Sequence, residues 1–181
     1  MQMKWAKFVA IFLVFSVLSH FAFMYSHPYL VVIFSYFASK EEVKVNEVYH
    51  QKPIDASFRK VVMPSPDILY SACVFDISNT DLLIEAKVPD FTYWSASFYS
   101  PSTDNFYTIN DRMINGSLSL ILTTNKSCSS DKCVISPSAR GIVIFRIFIP
   151  DKSMIPVLED FQRSIRCTPW VNFNIKSNTI Y

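Results

Sequence analysis

A chain of 181 residues with two glycines, seventeen basic and fifteen acidic side chains has room for one membrane segment and one domain of ordinary size. Residues 1–39 hold two lysines and no acid, so the remainder is neutral and lacks the clustered Lys and Arg that nucleic acid requires. With only Gly116 and Gly141, the glycine-rich loops that cradle phosphates and dinucleotides are excluded, and no cofactor is expected.

The chain opens on an apolar run, FVAIFLVFSVLSHFAFMY, at residues 8–25. A helix from Trp5 to Tyr25 is about 31 Å long, enough to cross a hydrocarbon core of about 30 Å. Trp5 and Tyr25 fall where the two interfaces favour amphipathic rings, and Lys4 and Lys7 predict that the short tail stays cytoplasmic. The rest of the chain then lies outside the inner membrane, in the periplasm of a Gram-negative cell. A cleavable signal peptide needs a small-residue cleavage site. Neither Ser19-His20-Phe21 nor Tyr36-Phe37-Ala38 supplies one, so the prediction is a retained signal-anchor with a single pass. His20 is read as a neutral group near the outer interface. His27-Pro28 is expected to end or kink this helix, because proline removes a donor and restricts its predecessor. Leu30, Ile33, Phe34 and Phe37 then fall at helical spacing, predicting a second short helix on the outer leaflet or on the domain.

Residues 39–63 are mixed and charged, and read as a connector with some helix or short strands. Pro64 and Pro66 precede the body of the domain. Strand formers fill 68–77 and 82–88, joined by the hairpin-like turn Ser78-Asn79-Thr80-Asp81. Residues 93–99 alternate, with Trp94, Ala96 and Phe98 on one face and Ser95 and Ser97 on the other. A strand at 105–111 is followed by Asn115-Gly116, the strongest turn signal in the chain. Two more strands are expected at 117–123 and 141–149. Residues 152–165 read as an amphipathic helix with a stripe of Ile155, Leu158, Phe161 and Ile165. The expected fold class is α+β, mainly antiparallel β and sandwich-like, with one N-terminal transmembrane helix and a C-terminal helix. The expected organisation is a cytoplasmic tail and signal-anchor at 1–27, an interfacial helix and connector at 28–63, the β-rich domain at 64–167 and a tail at 168–181.

The order PSPDILYSACVFDIS, FTYWSASFYSPSTDNFYTINDR, then GIVIFRIFIPD before a helix and a final Cys resembles the family known as domain of unknown function 1254. The likeness covers most of the chain and is best over residues 64–149. It is nearest to the short bacterial form, with one membrane helix and a periplasmic domain. The resemblance implies a proteobacterial envelope protein of uncharacterised role and supplies no catalytic residues to transfer. Longer relatives carry a second β domain, which this chain is not expected to contain. The low glycine content, the Cys-containing loop and the TPWVNFNIKSNTIY tail depart from the short form.

Cys73, Cys128, Cys133 and Cys167 make an even set in a segment placed outside the cytoplasm, where disulfides form. Three pairings are possible. Closeness in a polar loop favours Cys128–Cys133, leaving Cys73–Cys167, and the latter two also match positions associated with the family. A four-cysteine metal site is disfavoured by the lack of paired C-x-x-C knuckles, and no metal is expected.

Chemistry is constrained by histidine. His20 and His27 belong to the membrane region and His50 to the connector, so a Ser–His or multi-His site has no base or ligand in the domain. Asp67, Asp76, Asp104 and Asp111 flank two strands. A converging pair would make a carboxylate-dependent hydrolase of envelope glycan or peptide, although Asp at strand ends commonly closes turns. Asn105, Asn110, Asp111 and Arg112, with Tyr70, Trp94, Tyr99 and Tyr107, form a candidate aromatic and polar surface for a glycan or peptide. Arg146, mid-strand in an apolar run, is expected to pair with an acid such as Asp76. The functional expectation is a membrane-anchored, non-catalytic binding or assembly module with a protein or glycan partner.

Overall fold

The computed structural model describes residues 2–38, 44–55, 57–58, 64–114, 116–128 and 130–170. The first element is helix α1, Gln2–Ala38, whose segment Trp5–Leu30 is long and apolar enough to cross a membrane and has none of its surface packed inside the protein. The expected end at His27-Pro28 is not found: α1 runs through Pro28. Proline there forfeits the bond to the carbonyl four residues back and crowds that carbonyl, yet the helix continues on both sides of it. The hydroxyls of Ser19 and Ser26 donate to the carbonyls of Ser16 and Phe23 at 3.0 and 3.4 Å, which keeps both polar side chains on the helix itself.

Two sheets follow. One has five strands in the order β1-β2-β8-β4-β5, the other four in the order β7-β6-β3-β9. Their ranges are β1 Val48–His50, β2 Ile68–Asp76, β3 Asp81–Lys87, β4 Trp94–Tyr99, β5 Asn105–Asn110, β6 Ser117–Thr123, β7 Cys133–Ile135, β8 Arg140–Phe148 and β9 Arg166–Trp170. All pairs are antiparallel except β6 with β7. The six strands expected from alternation are present within a residue or two at each end, and the α+β, mainly β class holds. The three short strands β1, β7 and β9 carried too few residues to show a period. Pro169 is tolerated in β9 because that strand lies at a sheet edge.

The strict alternation has its cause in one shared core. From the five-stranded sheet come Leu69, Cys73, Phe75, Trp94, Ala96, Phe98, Val143, Phe145 and Ile147. From the other sheet come Leu82, Ile84, Leu118, Leu120, Leu122 and Cys167. Cys73 on β2 is bonded to Cys167 on β9, joining the two sheets, and Cys128 to Cys133 within the loop before β7. The Ser78–Asp81 turn corrects an expectation. It joins β2 to β3, which lie in different sheets, so it is an arch between layers rather than a hairpin. A turn signal reports only that the chain reverses; Ile77 and Leu82, both buried, decide that it reverses into the opposite layer. Gly116, with φ +82°, ends another crossing, from β5 to β6; Asn115 lies outside the described residues.

Helix α2, Ile155–Ser164, follows a short 3-10 turn that Asp151 caps by accepting from the Ser153 backbone N–H at 2.7 Å. Leu158 of the predicted stripe is fully buried. Gln162, which apolar periodicity does not identify, is also buried. Its Nε2 donates to the carbonyls of Gln51 and Tyr70 at 3.0 and 2.9 Å, clasping the β1–β2 edge. Gln162→Leu removes both bonds: the Tyr70 carbonyl keeps the Gln51 backbone N–H at 3.0 Å, while the part-buried Gln51 carbonyl loses this donor. A loss of about 1–3 kcal/mol is expected, read from urea unfolding of the full chain in detergent; an unchanged midpoint would remove the clasp from the account.

His50 of β1 faces Ser71, with Nδ1 and Oγ 3.0 Å apart. Burial, then the Arg163 guanidinium, holds its imidazole below the usual value of 6.5. The folded domain therefore binds fewer protons than the unfolded chain near that pH. Stability is full above about 6.5 and falls as pH drops toward the folded value. His50→Gln should flatten this slope, measured as melting temperature between about pH 8 and pH 5. An identical slope in the variant would assign it to another group.

Candidate binding face

The outward face of the five-stranded sheet gathers much of the predicted surface. Register places Tyr70, Arg146, Ser95 and Asn110 in one row, Tyr49, Ala72, Ile144, Ser97 and Thr108 in the next, and Val74, Ile142, Tyr99 and Asn105 in a third. Ser95 and Ser97 point away from the core, yet only 2% and 5% of their surface is exposed. Such burial on an outward face follows when longer neighbours lie over short side chains. Arg146 Nη1 donates to Ser97 Oγ at 3.3 Å. Thr108 Oγ1 lies 3.4 Å from the same oxygen and donates to Asn105 Oδ1 at 3.1 Å. The hydrogen bond from Arg146 is the main cause holding the Tyr99 phenol below the usual tyrosine range; bonds to Ser97 and Asn105 act in the same direction, against desolvation.

Asn105 reaches this face through a bulge. The β4–β5 register shifts between Phe98 and Tyr99, and Phe106 and Tyr107 both pack against Phe98, with ring centroids 6.0 and 5.5 Å away. One extra residue turns Asn105 outward beside Tyr99. Simple alternation would place it on the core side.

Several predicted site residues lie elsewhere. Trp94 is 2% exposed and sits in the core beside a small cavity lined by Val88, Pro89, Phe145, Ile147 and Ile165, so it is not on the surface that holds Tyr70 and Tyr99. Tyr107 likewise turns toward Phe98. Asp111 and Arg112 lie in the turn beyond β5, where Asn110 Oδ1 accepts from the Arg112 backbone N–H at 3.1 Å. The Arg146–Asp76 pair is not formed. Asp76 is bonded to Arg140 at 2.8 Å, its ladder partner, six residues along β8 from Arg146. Strand geometry decides this: at about 3.3 Å per residue, six residues exceed the reach of the two side chains.

The four aspartates do not converge either. Asp67 and Asp111 lie at one end of the sheet and Asp76 and Asp104 at the other, and each end-pair is separated by three strand spacings, about 14 Å. Glycosidase carboxylates stand roughly 5–9.5 Å apart. Asp104 instead accepts from Ser102 Oγ at 2.5 Å, and Asp76 closes the next turn through the Ser78 backbone N–H at 3.0 Å. Hydrogen bonds from Ser78, with the Arg140 pair, hold Asp76 below the usual carboxylate range. Among the described residues no three His, Cys, Asp or Glu side chains are grouped as metal ligands.

The two sheets differ in what they show to solvent. On the four-stranded sheet Glu85 stands opposite Ser119 and Arg166, and Lys87 opposite Ser117, a polar half of the exterior; Leu83 opposite Ile121 and the exposed Ile135 make the other half more apolar. On the five-stranded sheet, β2 and β8 present Ile68, Tyr70, Ala72, Val74, Ile142, Ile144 and Phe148 around Arg146. Phe148 remains 41% exposed. Among the described residues no carboxylate pairs with Arg146.

These features define a two-sheet α+β domain in a chain that begins with an apolar helix. The sequence model of the family described as "Protein of unknown function (DUF1254)" matches residues 45–169, and the chain belongs to that family. No curated protein matches it. Among solved structures it is similar to the VPA0106 protein from Vibrio parahaemolyticus, at TM-score 0.63 and 13% identity, over 82% of this chain and 36% of that one. A second similarity is to an uncharacterized protein from Burkholderia cenocepacia, at TM-score 0.49 and 12% identity, over 73% of this chain and 38% of that one. The chain thus spans little more than a third of either protein, and the likeness to the Vibrio protein shows the fold alone.

Proposed function

We propose that the chain is a single-pass inner-membrane protein whose β domain faces the periplasm and serves as a non-catalytic binding or assembly module. The observation that carries this reading is the outward face of the five-stranded sheet, apolar and tyrosine-rich around one arginine. Interface cores are enriched in aromatic residues and Arg and depleted of Lys, Asp and Glu, and contiguous exposed apolar surface marks interaction sites. The Trp5–Leu30 segment supports anchoring. Lys4 and Lys7 support a cytoplasmic tail, and the two disulfides fit an oxidising compartment. The partner is a protein rather than a glycan, because the outward rungs are aliphatic and two tyrosine hydroxyls are already engaged: Tyr70 accepts from the Ser65 backbone N–H at 3.2 Å, and Tyr49 donates to Gln51 Oε1 at 3.1 Å.

The test is in-cell photocrosslinking from a reactive residue at position 144, on this face, and at position 85, on the opposite sheet. The reading expects one protein adduct from 144 and none from 85. Adducts from 85 alone, or from neither, would overturn it. External protease on spheroplasts should remove the domain without lysis.

A further inference from the structure

Resting on that reading, we infer that the partner presents an Asp or Glu carboxylate to Arg146, which acts as the specificity residue of the face. Arg146 sits in the middle of β8, between Tyr70 on β2 and Ser95 on β4. Its described protein contacts are neutral: the Ser97 hydroxyl at 3.3 Å and the Tyr99 phenol. A guanidinium has five donors in a planar fork, and these contacts leave most of them unused. The fork matches a carboxylate through two parallel bonds.

Charge selects the ligand class. One carboxylate balances one guanidinium. A phosphate carries about −1.5 to −2 and calls for further cations, yet no other Lys or Arg occupies the rows around Arg146. Arg140, the remaining cation of β8, is bonded to Asp76. A second copy of this chain does not fit, because a two-fold contact matches the face with itself and these rows contain no acid. The aliphatic residues beside Arg146, chiefly Ile142 and Ile144, would dry the pair and strengthen it.

An arginine retained for binding differs from one retained for stability. Replacing a half-buried cation that no carboxylate pairs with among the described residues, using an apolar side chain of similar reach, should leave the free protein as stable or more so. The experiment therefore has two readouts on the full chain: crosslink yield from position 144 in cells, and melting temperature in detergent. R146L is expected to cut the crosslink tenfold or more while the melting temperature holds or rises, and R146K to retain a part of the yield. Mass spectrometry should map the adduct to a partner peptide containing Asp or Glu, and reversing that acid to Arg should restore the crosslink to R146E. If the crosslink survives R146L, the docking face stands and the carboxylate inference falls. If wild type gives none, the docking reading itself falls. A lower melting temperature in R146L, a self-adduct or an adduct mapping to a peptide without an acid would each overturn the inference.

Discussion

Replacing Cys73 and Cys167 together with alanine should destabilise the domain by about 4.7 kcal/mol, the value the chain-entropy relation gives for a loop near a hundred residues. The bond closes a separation of 94 residues and joins the two sheets through β2 and β9. Both sites are buried, so water cannot take the place of the lost contact. Against a total stability of about 5–15 kcal/mol, this is a large share. The Cys128–Cys133 bond spans only 5 residues, and the same relation gives about 2 kcal/mol. Urea unfolding of the full chain in detergent compares the two pairs directly. Equal losses, or a larger loss from the loop pair, would remove the inter-sheet staple from the account.

Gly141→Ala is the second severe change, with an expected loss of about 3 kcal/mol from overpacking. Gly141 lies on the core side of β8, opposite Phe75 in the ladder. A Cβ there would stand 2.5 Å from Phe75 Cζ and closer still to the Tyr99 carbonyl oxygen. The ring can turn aside, but the carbonyl belongs to β4, held in register against β8. Phe75→Leu in the Gly141→Ala background should therefore recover only part of the loss. Full recovery would show that the ring alone opposes the methyl group. The same contact explains a glycine in the middle of a sheet, where the residue otherwise weakens a strand.

Both positions show where the sequence was readable. Period two in 93–99 puts Trp94, Ala96 and Phe98 on one face and Ser95 and Ser97 on the other, and the structure makes the first face the core side. The same rule sets Trp94 and Tyr99 on opposite faces, so shared aromatic character does not put them on one surface; Trp94 is a core residue. Polarity alone singles out Asn105, but its route to the face depends on the bulge at Phe98/Tyr99, which has no local marker such as glycine. Turn chemistry marked Ser78–Asp81 and Asn115-Gly116 as reversals. It could not tell a hairpin from an arch, because that choice is made by which layer completes the core. Arg146 is conspicuous in its apolar run, whereas the loss of Asp76 as its partner is not legible: the ladder assigns Asp76 to Arg140. Pro28 shows the opposite limit, a strong local breaker carried inside a long helix.

The central claim is that the face around Arg146 is covered in the cell. Hydroxyl-radical footprinting of the full chain, in native membranes and again after purification in detergent, measures this residue by residue. The account predicts that Tyr70, Tyr99 and Phe148 are labelled less in membranes than in detergent, while Phe91, which is 48% exposed and packs beside α2 against Phe161, is labelled equally in both. Equal labelling of Tyr70, Tyr99 and Phe148 in the two preparations would contradict it.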